Sequence, residues 1–181
     1  VQKPAAGKLT VKRSQKILAG LCVMATRLAI CFWVGGAILF VITSVAEQRY
    51  PQFDSLIKDQ LATIRFPLYY LFGWGCLGTV LLSSAVGSLL TCGCLRKRLI
   101  TAFVLTLLST GIAVADFKLV YQPLQELITP PGQSRTQAFL SLHNQSRIIN
   151  EVHLTLALIA AVIICLPESV ATGTSPQSCR E

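Results

Sequence analysis

The residues that could carry chemistry are concentrated in Leu142-His143-Asn144-Gln145-Ser146-Arg147-Ile148-Ile149-Asn150-Glu151-Val152-His153-Leu154, which runs straight into the apolar stretch 154–166. That stretch is too short to cross a bilayer, which takes about 20 residues at ~1.5 Å rise each. A last spanning helix must therefore draw part of the polar stretch into the membrane, with Asn150, Glu151 and His153 in the lipid zone. At ~100° per residue His143, Arg147 and Asn150 share a broad face, with Glu151 and His153 to either side. A polar wedge of this kind is unfavourable in lipid and is expected to face other helices.

Other charges fall inside apolar runs. Arg27 lies eleven residues beyond Lys16, ~16 Å into the membrane from the inner side. By the same rise Asp116 stands ~27 Å above Arg98 and Glu151 ~24 Å above Pro167, in the outer half. The simplest expectation is an intramembrane network in which Asp116 or Glu151 neutralises Arg147, while Arg27 takes Glu151 or backbone carbonyls. The alternative is that each charge anchors its own helix at an interface.

His143 and His153 are ten residues apart, ~15 Å along one helix, so they cannot ligate one ion or one haem iron together. Either could be a single ligand to haem or copper, but the only methionine, Met24, lies in the inner half. A lone histidine is more often a hydrogen-bonded structural residue. Cys92-Gly93-Cys94 sits beside Arg96-Lys97-Arg98, a setting that favours thiolate or acylation, or simply a small-residue interfacial turn. Two thiols do not complete a zinc site. With no Walker loop, HExxH helix, nucleophile elbow or dinucleotide fingerprint, hydrolase and nucleotide-dependent readings have no residues to stand on, and no catalytic residue is assigned.

The elements that must position these groups follow from composition. Of 181 residues 52% are hydrophobic and only 13% charged, against roughly a quarter charged in soluble domains. The chain is read as an all-α integral membrane four-helix bundle. Its spans are placed at about 17–46, 66–94, 99–120 and 137–167, between a basic tail, 1–16, and a polar tail, 168–181. The first apolar segment is too long for a signal-peptide core and is read as a retained anchor. Between spans one and two, Phe53, Leu56, Ile57, Leu61 and Ile64 recur at spacings of three and four, predicting a short interfacial amphipathic helix, or else a solvated loop.

Tyr69, Tyr70 and Trp74 read as a headgroup-level aromatic cluster. Gly35, Gly36, Gly73, Gly75, Gly78 and Gly87 are candidate helix-packing positions, since small residues let backbones approach. Seven cysteines, mostly in apolar runs, are expected to be reduced, buried small hydrophobes rather than a disulfide framework.

The net charge of +8 lies in the tail (Lys3, Lys8, Lys12, Arg13, Lys16) and in Arg96-Lys97-Arg98, whereas the 47–65 and 116–151 regions are balanced in sign. The positive-inside rule then places both termini and the 95–98 turn in the cytoplasm and requires an even number of spans. The basic residues carry no groove-reading motif, so the expected partners are the lipid bilayer and other membrane subunits, not nucleic acid.

Arg27-Leu28-Ala29 with Phe32-Trp33-Val34-Gly35-Gly36 and Phe40, Arg65-Phe66-Pro67-Leu68-Tyr69-Tyr70, and Leu142-His143 with Ser146 and Asn150 resemble the four-helix membrane family that includes transmembrane protein 205. That family is similar to a wider set containing the copper resistance protein D membrane domain and a haem-associated protoporphyrinogen oxidase. The resemblance covers roughly residues 20–166 and implies a four-helix bundle. Through the wider set alone it implies a metal or haem link. Arg27 stands where those relatives tend to carry a histidine, a departure that weighs against haem.

The leading functional expectation is a non-enzymatic accessory or assembly subunit that docks in a larger complex through its Gly/Ser-rich second helix. The second is a metal, haem or small-solute handling protein using the polar cluster at the outer end of the bundle.

Overall fold

The computed structural model describes residues 6–167, with side chains from Lys12 onward. The 168–181 tail and the first five residues lie outside the described residues. The described chain is helical: α1 (Ala6–Arg49), α2 (Ser55–Leu90), α3 (Gly93–Asp116), a π-helical turn (Phe117–Tyr121), α4 (Gln122–Leu127) and α5 (Gln137–Cys165). Four stretches are long and apolar enough to cross a membrane: Lys12–Arg49, Ser55–Leu90, Gly93–Leu127 and Gln137–Cys165.

Local chemistry sets the ends. Asp54 caps α2 by accepting from the Ile57 amide at 2.9 Å, and Thr136 caps α5 by accepting from the Phe139 amide at 3.2 Å. Between α2 and α3 the chain reverses through Thr91 and Cys92, and Gly93, at φ +64°, takes the left-handed conformation that a side chain would disfavour.

α1 lies against α2 and α5, and α3 lies against the same two helices, so the four close into a ring. Each contributes a stripe at spacings of three and four: Ile30, Trp33 and Ala37; Tyr70, Gly73, Leu77, Val80, Ser84 and Gly87; Ala102, Thr106, Ser109 and Ala113; His153, Ala157, Ala160 and Ile164, all buried. The large apolar residues Phe32, Leu39, Leu71, Leu82, Leu107, Leu158 and Val162 face outward. Large apolar side chains turned outward are the arrangement expected where lipid, not water, is the solvent, and inside, small residues such as Ala37, Gly73, Ser84, Gly87, Ala102, Ala157 and Ala160 let the helices approach around Trp33, Tyr70 and Leu77.

Three local expectations are corrected. The segment 55–65 is not a separate interfacial helix but the first turns of α2, continuous through Pro67. A proline removes one helical donor, and here the extension is held by tertiary contacts: Asp59 is bound by Arg135, and the Gln125 amide donates to Thr63 Oγ1 at 3.0 Å. Residues 6–16, expected in the tail, are helical and continue α1. The third span begins six residues earlier than expected, at Gly93, and its regular α-helix stops at Asp116.

Candidate functional site

The rotation of α5 decides what its polar residues can do. Ala157, Ala160 and Ile164 form the stripe that meets the other helices, and extending it back by three and four passes through His153, Asn150 and Ser146. Arg147 and Glu151 then fall on the outer face. Their side chains are 67% and 70% exposed, and they meet only each other, at 4.0 Å. The predicted wedge is therefore split, with Asn150 and His153 inside, Arg147 and Glu151 outside.

Inside, a string of hydrogen bonds joins three helices. The Tyr70 hydroxyl donates to Asp116 Oδ2 at 2.7 Å, and Asn150 Nδ2 reaches the same oxygen at 3.5 Å. Asn150 Nδ2 also donates to the Ser146 carbonyl at 2.9 Å. That carbonyl accepts only, so the amide's orientation is set and Asn150 Oδ1 is the acceptor for His153 Nε2 at 2.9 Å and for the Tyr69 hydroxyl at 3.4 Å. His153, 2% exposed, lies against the Trp33 indole with ring centroids 5.9 Å apart. Ser109 donates to the His153 carbonyl at 2.9 Å, tying α3 to α5. Asp116 Oδ1, His153 Nδ1, Trp33 Nε1 and Thr106 Oγ1 have no hydrogen-bond partner among the described residues.

The expected charge network takes a different form. Asp116 is bound by neutral donors, not by Arg147, because the inner stripe of α5 presents Asn150 to it. Arg27 takes a backbone carbonyl, its Nε donating to Ile164 O at 2.9 Å. Arg98 bonds the carbonyls of Leu166 and Pro167 just beyond the helix, so two guanidiniums hold the C-terminal end of α5 and the residues that follow it. Arg27 thus sits at the end of the bundle remote from Asp116.

His143 lies apart from both groups. It lines a cavity of about 110 Å³ at the head of the bundle, enclosed by the end of α1, the start of α2, the 121–135 segment and the start of α5. Its charged lining is Glu47, Lys58, Asp59, Arg65 and Arg135. Glu47 pairs with Arg65, and Asp59, 1% exposed, pairs with Arg135 and also accepts from the Gly132 amide at 2.9 Å. The floor is Phe66 and Tyr121. Tyr121 in turn meets Tyr70 at a centroid distance of 4.8 Å, so one aromatic layer separates this vestibule from the Asp116 string.

Tyr69 and Tyr70, expected at headgroup level, are buried in the core. The signal that could have found them is the stripe at 70, 73, 77, 80, 84 and 87. The Asp59–Arg135 pair joins residues from α2 and the breaker loop, and no local pattern announces it. Of the candidate packing glycines, a Cβ at Gly36 would meet Phe72 at 2.6 Å, one at Gly73 would meet Trp33 at 2.8 Å, and one at Gly87 would meet Cys22 at 3.2 Å. Gly35, Gly75 and Gly78 have open space where a Cβ would stand, with no atom of the described residues within 4 Å.

The thiols also depart from expectation. Cys92 is disulfide-bonded, and Cys31, Cys94 and Cys165 are exposed; among the described residues Cys22 is buried and Cys76 half-buried.

No family model, curated protein or solved structure matches this chain.

Proposed function

We propose that this chain is a non-catalytic multi-pass membrane module, a small accessory or assembly subunit that docks in a larger membrane complex. The reading rests on Gly35, Gly75 and Gly78 on α1 and α2, the first two exposed and the third half-buried, where a Cβ would meet nothing within 4 Å among the described residues. Glycine loses roughly 1 kcal/mol of helix propensity relative to alanine, and close approach by a neighbouring helix is what offsets it in lipid. The core supports the same view: the bonds among Tyr70, Asp116, Asn150, His153 and Ser109 tie α2, α3 and α5 together. Purification in a gentle detergent tests it. A membrane protein is expected to co-purify stoichiometrically with the wild type and to be lost from Gly75→Leu/Gly78→Leu while the helical signal and thermal midpoint hold.

The charge count favours the cytoplasmic side for the termini and for Arg96–Arg98 in the first turns of α3. An impermeant maleimide reaching the exposed Cys94 from the outside would reverse that placement. The resemblance to the family that includes transmembrane protein 205 is consistent with a four-helix membrane bundle and is kept as part of the proposal.

A second reading, handling of a small solute at the outer end of the bundle, is favoured by the charged cavity beside His143. Haem or copper fits the residues less well. His153 commits Nε2 to Asn150 and one ring face to Trp33, and among the described residues no three His, Cys, Asp or Glu side chains converge on one point. An absorption spectrum with elemental analysis of the purified protein tests this, and a Soret band or stoichiometric copper would restore the metal reading.

A further inference from the structure

The vestibule at the head of the bundle has an unbalanced charge and an apolar wall. Five charged side chains line it: Lys58, Arg65 and Arg135 against Glu47 and Asp59. Both carboxylates are already engaged, Glu47 by Arg65 and Asp59 by Arg135. Lys58, half-buried, has no ion-pair partner among the described residues, so the lining keeps one positive charge in excess. His143 and Tyr121 are the other titratable side chains on the wall; His143 stacks on Phe139 with centroids 5.8 Å apart, and Arg135 covers the same ring at 4.2 Å. The rest of the wall is largely apolar: Ala62, Phe66, Leu124 and Ile128.

Size and depth limit the occupant. A water needs roughly 10–15 Å³ of such space, so a cavity of about 110 Å³ holds several waters or a short organic body. Lys58 is eight residues before Phe66, where the apolar part of α2 begins, which places its ammonium ~12 Å above that level, in the headgroup zone. There an ammonium beside an apolar wall gains more from an anion than it would in open water, because part of the competing solvent is displaced.

We propose that this cavity binds a singly charged organic anion with a short apolar body, its anionic head on Lys58 and its body against Ala62, Phe66, Leu124 and Ile128. The proposal deepens the second functional reading and rests on it. The same chemistry is offered by a free monocarboxylate and by the head of an anionic lipid.

The test uses the full chain in a neutral maltoside detergent, titrated by calorimetry with hexanoate, hexylamine and hexanol, and in nanodiscs of phosphatidylcholine with or without phosphatidylglycerol. Saturable hexanoate binding that weakens at least tenfold in Lys58→Gln and vanishes in Ala62→Phe supports a free-acid occupant. Phosphatidylglycerol retained by the wild type in native mass spectrometry, and lost from both variants, supports a lipid head. Lys58 supports no ion pair, so Lys58→Gln is expected to fold as the wild type does, and circular dichroism checks it. Binding of hexylamine or hexanol in preference to hexanoate overturns the anion assignment while leaving a solute site. Binding of none of the probes, free or lipid, overturns both the assignment and the reading beneath it.

Discussion

Tyr70 on α2 donates its hydroxyl to Asp116 on α3 at 2.7 Å, a shorter bond than the 3.5 Å that Asn150 makes to the same oxygen. A hydrogen bond to a charged or strongly polar acceptor is worth about 1.5–3 kcal/mol when its loss leaves the acceptor buried. Tyr70→Phe is therefore expected to destabilise the bundle by about that amount, with little loss of packing. Tyr69→Phe removes only a 3.4 Å contact to Asn150 and is expected to lose under about 1 kcal/mol. Denaturant unfolding in mixed micelles ranks the two, and an equal effect would show that the string does not hold α2 to α3.

The glycines of α2 divide sharply by position. A methyl at Gly73 would press on the Trp33 indole at 2.8 Å, whereas one at Gly75 would meet open space. Gly73→Ala is expected to lower stability by about 1–3 kcal/mol through overpacking. Gly75→Ala is expected to be neutral or to raise it by up to about 1 kcal/mol through helix propensity. Thermal midpoints of the isolated protein separate these outcomes. A destabilising Gly75→Ala in the isolated chain would indicate a contact the monomer does not contain.

Asp59 is 1% exposed and depends on Arg135 and on the Gly132 amide. Arg135→Gln leaves a buried carboxylate with its charge unbalanced, expected to reduce stability by about 3 kcal/mol and to loosen the 128–136 connection. Limited proteolysis at that connection reads the second effect. Asp59→Asn/Arg135→Gln together should recover part of the loss, since neither member is then left charged beside a neutral neighbour.

Cys31 on α1 and Cys165 on α5 hold their sulfurs 3.8 Å apart on the outer surface. A disulfide needs ~2.05 Å, which a small side-chain rotation supplies. Copper phenanthroline is expected to join them within one chain, lowering the intact mass by a pair of hydrogens and raising resistance to unfolding. Cys31→Ser should abolish the change. Failure to cross-link would mean that α1 and α5 do not meet as described.

Within α5 the polar residues were visible from the start, but the angle at which the helix meets its neighbours was not. His143, Arg147 and Asn150 lie within one broad face by spacing, yet a turn of less than one residue decides which of them enters the core. The register of Ala157, Ala160 and Ile164 makes that choice in favour of Ser146, Asn150 and His153. Asp116 was legible as a buried charge, and its partner was not, because Tyr70 lies 46 residues away and read equally well as an interfacial aromatic.

Hydropathy, breakers and charge placement by themselves determined that this chain is helical, that it has four stretches able to cross a membrane, and roughly where each begins. Those properties are local, since each depends on the residues of one segment and on the thickness of a bilayer. Only the tertiary structure decided that Asp116 meets Tyr70 and Asn150, that Asp59 meets Arg135, and that Arg27 caps the end of α5. Such pairings depend on helix rotation, and rotation is settled by the joint packing of small residues from all four spans, which no single segment encodes.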